Sequence, residues 1–107
     1  MQSSSDLRAV AKAVIHPEGC EAQTLEYFLR TAAAQGPDGE ALYCLRVDKR
    51  DPRGILMERE ETPPLTSSLE GATKMASIFA AGTVTPCVLL EMADEWYDEI
   101  LYKFNAA

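Results

Sequence analysis

Two turn signals do most to limit what this chain can become. QGPDGE at residues 35–40 and DPRG at 51–54 each set a proline close to a glycine. Proline presets φ at one turn position and glycine accepts a positive φ at another. The segments around them alternate. In TLEYFLRTAA, Leu25, Tyr27 and Leu29 interleave with Glu26, Phe28 and Arg30, and in ALYCLRVDK, Tyr43, Leu45 and Val47 share one face. ILMEREET follows and stops at Pro63 and Pro64, which cannot donate to a ladder. Period two with aromatic and β-branched residues is a strand pattern. Three short strands joined by two turns predict an antiparallel meander.

The pattern then changes to a period of three and four. Leu69, Ala72, Met75, Ala76 and Phe79 form one helical face, Ser67 and Glu70 have capping-box spacing, and Gly82 is a stop. Thr85 with Pro86 opens a second helix, with Val84 and Leu89 at the positions of a hydrophobic staple. Its apolar stripe runs through Leu89, Ala93, Trp96, Ile100 and Phe104, broadened by Met92, Tyr97 and Leu101. At the other end, Leu7, Val10, Ala11 and Val14 stand at i, i+3, i+4 and i+7, which predicts a loosely docked N-terminal helix closed by Pro17, with residues 1–23 as helix and loop. The expected fold is a single α+β domain over residues 1–107. It has a three-stranded antiparallel β-meander, two C-terminal helices packed on one face, and the N-terminal helix.

Charge narrows the function classes. The formal net charge is -7, which repels nucleic acid and anionic lipid alike. No apolar run approaches the roughly 18 residues of a membrane span, and MQSSSDLRAVAKAV lacks the basic start of a secretory signal. Cys20, Cys44 and Cys87 are odd in number and widely spaced, which argues against a disulfide framework or zinc site and for a reducing, cytoplasmic compartment.

The acids are not evenly spread. Within EMADEWYDEI at residues 91–100, Glu91, Asp94, Glu95, Asp98 and Glu99 line the helix face opposite Leu89, Ala93 and Trp96. Solvation of an amphipathic helix accounts for them simply. Their like-charge neighbours cost about 0.2–0.5 kcal/mol per pair, which leaves room for a basic partner surface. A dimetal centre would want a Glu-x-x-His step, and the single histidine, His16, lies before Pro17. The reading is a binding surface without metal or cofactor.

Cys87 is the chemical candidate, because a first-turn cysteine meets free N–H groups that favour a thiolate. A small apolar residue packed at a helix start explains it as well. His16 and Cys87 would form a base–nucleophile pair only if the fold joined them. Lys49, Arg50 and Arg53 bracket a hairpin tip, broken up by Asp48 and Asp51, and read as surface charge. Trp96 reads as core, while Tyr97 and Tyr102 suit an interface.

The pieces YCLRVDK, MEREET and GTVTPCVLLEMADEW, over about Tyr43 to Glu95, resemble a family of short uncharacterised proteins of clostridia-type bacteria. The resemblance implies a bacterial cytosolic α+β domain and no assigned activity. A lone meander leaves one sheet face and two edges open, so a homodimer is expected. The leading function is a non-enzymatic protein-interaction module using the acidic C-terminal helix. The rival is a thiol-based redox enzyme or sensor using Cys87.

Overall fold

A computed structural model describes residues 7–33 and 35–96. Its sheet has four strands, not the three expected: β1 (Leu7–Ile15), β2 (Gln23–Thr31), β3 (Tyr43–Arg50) and β4 (Leu56–Glu61), antiparallel and in chain order. Two helices follow, α1 (Leu69–Ala81) and α2 (Leu89–Trp96), the second entered through one 3₁₀ turn at Pro86–Val88. The α+β class holds, but the N-terminal helix does not exist, because that segment is β1.

The reason is a β-bulge. Ala9 pairs with Phe28 and Ala11 with Tyr27, so Val10 is an extra residue in the ladder. One added residue moves every later side chain to the opposite face. It brings Val10 and Ala11 together against the core, while Leu7 and Val14, the other two members of the helical spacing, fall on the outer face. With the bulge in place, Val10, Ala11, Ala13 and Ile15 all pack against the core. An isolated alanine-rich helix of this length is marginal in water, whereas β1 satisfies its backbone on the edge of β2.

The inner sheet face is the apolar one. Leu25, Tyr27, Leu29, Leu45 and Val47 are buried there against Ala72, Met75, Ala76 and Phe79 of α1 and against Leu89 and Ala93 of α2. α1 lies over β1, β2 and β3, while the 3₁₀ turn and α2 sit against β4. The Tyr27 hydroxyl donates to the Val84 carbonyl at 2.7 Å. Burial pushes its pKa up to about 12, since an ionised phenol has no water to solvate it.

The hairpin between β3 and β4 is as its sequence implied. Gly54, at φ 87, donates its N–H to the Asp51 carbonyl at 2.9 Å, and the Asp51 side chain accepts from Arg53 N and Ile55 N. The cap of α1 falls one residue late. Ser68, not Ser67, accepts from the Gly71 N–H at 2.9 Å, which puts glycine where the box needed Glu70.

α1 ends with Thr83 N–H on the Ala80 carbonyl and Val84 N–H on the Phe79 carbonyl. That is a Schellman pattern, with buried Val84 closing over buried Phe79. The left-handed residue is Thr83, at φ 50, rather than Gly82 at φ -90. A β-branched residue is strained there. Thr83→Gly is expected to stabilise the protein by about 0.5–1 kcal/mol, read as a rise in Tm of several degrees. An unchanged or lower Tm would show that the strain is absent.

Candidate functional site

The linker after β4 makes one wall of a groove. Leu45 N–H donates to Thr62 Oγ1 at 3.0 Å and Thr62 N–H to the Leu45 carbonyl at 2.9 Å. Further on, Leu65 N–H donates to the Tyr43 carbonyl and Tyr43 N–H to the Thr66 carbonyl, each at 2.9 Å. Residues 62–66 therefore track β3 past Pro63 and Pro64, because the rungs used are those that need no proline donor.

α2 forms the other wall. Leu89 and Ala93 face the core, which turns Glu91, Asp94 and Glu95 to solvent. Leu90, 45% exposed, lies between these two faces. The groove has a volume of about 420 Å³, with Pro63, Leu65, Leu90 and Ala93 as an apolar floor and Glu91 and Asp94 as an acidic rim. Asp98 and Glu99, also predicted for this surface, lie outside the described residues, as do Tyr97 and Tyr102. Trp96 is partly buried against the core.

Cys87 is exposed within the 3₁₀ turn, its Sγ 3.5 Å from the Thr85 hydroxyl. Thr85 makes no side-chain capping bond to the turn. Cys87 lines a hollow of about 220 Å³ with Glu58, Arg59, Glu60, Pro86 and Leu90. His16 follows β1, at the sheet edge away from β4. Four strands about 4.8 Å apart put those edges roughly 14 Å from each other, so His16 and Cys87 are not brought together. Cys20 is exposed and Cys44 is buried. Burial, then the charge of Glu61, push the Cys44 thiol up, against an opposing pull from Arg30. Among the described residues no group of three His, Cys, Asp or Glu converges as a metal site would need.

The hairpin cations are engaged. Lys49 pairs with Glu58 at 3.0 Å and Arg53 with Asp51 at 2.9 Å. Arg50 pairs with Glu26 at 3.0 Å, and with that contact it joins a feature the sequence reading missed.

The outer sheet face is built from charged rows. The register aligns Val14, Thr24, Arg50 and Leu56, then Lys12, Glu26, Asp48 and Arg59, then Ala9, Phe28, Arg46 and Glu61. At the centre is Asp48, which is 0% exposed. It accepts from Arg59 Nε at 2.9 Å and Arg59 Nη2 at 3.0 Å, and from Arg46 Nη2 at 3.2 Å, with Arg50 Nη2 at 3.7 Å. Arg30 holds Glu61 through two nitrogens, Nε at 2.9 Å, and the Arg46 guanidinium stands 4.9 Å from the Phe28 ring centre.

These contacts set the charge states. Burial acts to raise the Asp48 carboxyl, but the Arg59 hydrogen bonds and the charges of Arg46 and Arg59 outweigh it, and its pKa lies below the usual range. Glu61 is lowered chiefly by its hydrogen bond with Arg30. Arg46, over Phe28, covers part of this face with its stem. A signal was present in the sequence: opposite charges recur at every second residue in Arg46, Asp48 and Arg50, and again in Arg59 and Glu61, which places them on one strand face.

No helix among the described residues is long and apolar enough to cross a membrane. No curated protein and no solved structure matches this chain. Residues 8–99 match a family of unknown function, DUF6514. A match over most of the chain, carrying all four strands and both helices, makes this protein a member of the DUF6514 family.

Proposed function

We propose that this chain is a non-enzymatic protein-interaction module whose groove beside α2 seats a basic, partly apolar segment of a partner. The observation behind it is the joining of two features: the acids Glu91 and Asp94 stand on the rim of a groove floored by Pro63, Leu65, Leu90 and Ala93. Apolar floors bind side chains, and a charged rim selects the sign of their neighbours and speeds encounter. The like-charge cost along the acidic face is offset when a cationic partner arrives. Three free cysteines suit a reducing, cytosolic setting, and a bacterial source agrees with the family resemblance.

Peptides alternating lysine with leucine should bind, with affinity that falls steeply with salt. Glu91→Gln with Asp94→Asn should weaken them about tenfold or more, followed by fluorescence anisotropy. Equal binding of glutamate–leucine peptides, or no loss in the double variant, would exclude this groove.

A redox role for Cys87 has its exposure and the Thr85 contact in its favour. Arg59, the cation in the same hollow, directs its guanidinium to Asp48 instead. The interaction reading is therefore preferred.

A further inference from the structure

The outer sheet face differs in sign from the molecule around it. Its aligned rows hold Lys12, Arg30, Arg46, Arg50 and Arg59 against Glu26, Asp48 and Glu61, an excess of cations in a chain of net charge -7. One end of this face is also apolar and open, with Val14 54% and Leu56 38% exposed beside Arg50 and the exposed Lys12. α2 offers the counterpart: exposed Leu90 beside the exposed acids Glu91 and Asp94. Both surfaces reach β4, since α2 packs against that strand and Leu56 and Arg59 belong to it, while Lys12 and Val14 stand across the sheet on β1. They lie on opposite sides of the sheet, so one chain cannot bring its own pair together.

We infer that a second copy of this chain supplies the match, with α2 of each copy laid on the cationic outer face of the other around a two-fold axis beside β4. This rests on reading the α2 surface as the binding surface and names its partner. An interface of one patch against a different patch runs on into filaments unless the symmetry closes it. Because α2 and the Leu56 and Arg59 side of the outer face both adjoin β4, a two-fold forms both contacts at once and stops at the dimer. Charge complementarity fixes the register, and the exposed Leu56 and Leu90 leave water together.

The test is charge exchange, read by light scattering and sedimentation. The wild type should have a dimer's mass at low salt and shift towards monomer as salt rises. Lys12→Glu with Leu56→Glu makes the face acidic, and Glu91→Lys with Asp94→Lys makes the helix basic. Each variant alone should be a folded monomer, with circular dichroism and melting as controls. Mixed in equal amounts they should recover a one-to-one dimer, since each contact again joins opposite charges. A wild type that stays monomeric at low salt and high concentration, one that grows past the dimer, or variants that remain dimeric alone would overturn the inference. If the wild type is monomeric yet still binds lysine–leucine peptides, self-association fails while the interaction reading stands. Loss of both removes both.

Discussion

Replacing Asp48 by Asn should destabilise the protein by about 2–3 kcal/mol. Removing one partner of a buried ion pair generally costs about 3–5 kcal/mol, because the orphaned charge stays desolvated. The lower figure applies here because the guanidiniums left behind can reach water: the side chains of Arg50 and Arg59 are 32% and 43% exposed, against 16% for Arg46 and 0% for Asp48. Urea titrations of the two proteins should differ in midpoint and share a slope. The direction with pH follows from the lowered carboxyls. Asp48 and Glu61 lie below their ordinary values of 3.8 and 4.5, so their contribution is complete above those values. It is lost as pH falls through the folded-state values. The gap between wild type and Asp48→Asn should therefore close in acid. A gap as wide at pH 3 as at pH 7 would mean that the carboxylate charge is not what Asp48 supplies.

Tyr27→Ala should cost more, about 4 kcal/mol, the usual range for deleting a buried aromatic ring. Tyr27 is 0% exposed and reaches from β2 to the turn that follows α1, where its hydroxyl meets Val84 at 2.7 Å and Phe79 at 3.4 Å. Tyr27→Phe separates the two parts. It keeps the ring but leaves the buried Val84 carbonyl short of a donor, for about 1–2 kcal/mol. The phenol also sets an alkaline limit. With a folded value near 12 against an ordinary 10.0, its stabilisation is intact below pH 10 and is lost as pH climbs from 10 towards 12. Tyr27→Phe should lack that share of the alkaline loss. If both proteins weaken equally across that interval, the burial of the hydroxyl is not the cause.

What could be read from the residues was local. Pro52 and Gly54 announced the second hairpin, and the alternation around Tyr27 and Val47 gave β2 and β3 and their buried faces. Leu69 to Phe79 gave α1, though its cap at Ser68 was misplaced by one residue. What escaped depended on pairing. The bulge at Val10 exists only because β2 lies alongside, so the isolated pattern of β1 looked helical. The acids of α2 were recognisable, but the groove they border needs Pro63 and Leu65 from another part of the chain. The charged outer face was hidden for a different reason. Arg46, Asp48 and Arg50 share a strand face by their spacing alone, but only the register sets Glu26 and Arg59 on either side of Asp48. The expected need to cover that face also changes, since ion pairs already shield its centre.

The bulge has one more consequence. Among the described residues β1 is an edge strand of nine residues, LRAVAKAVI, rich in alanine and valine. A flat strand of that composition would offer an unbroken row of backbone donors and acceptors, the template on which further strands stack into fibres. At Val10 the ladder is interrupted and the strand twists, and Arg8 and Lys12 stand exposed on either side of the break. A strand arriving from solution would find its hydrogen bonds out of step and two cations in its way. The irregularity that disguises β1 in the sequence thus makes this edge a poor template for a further strand.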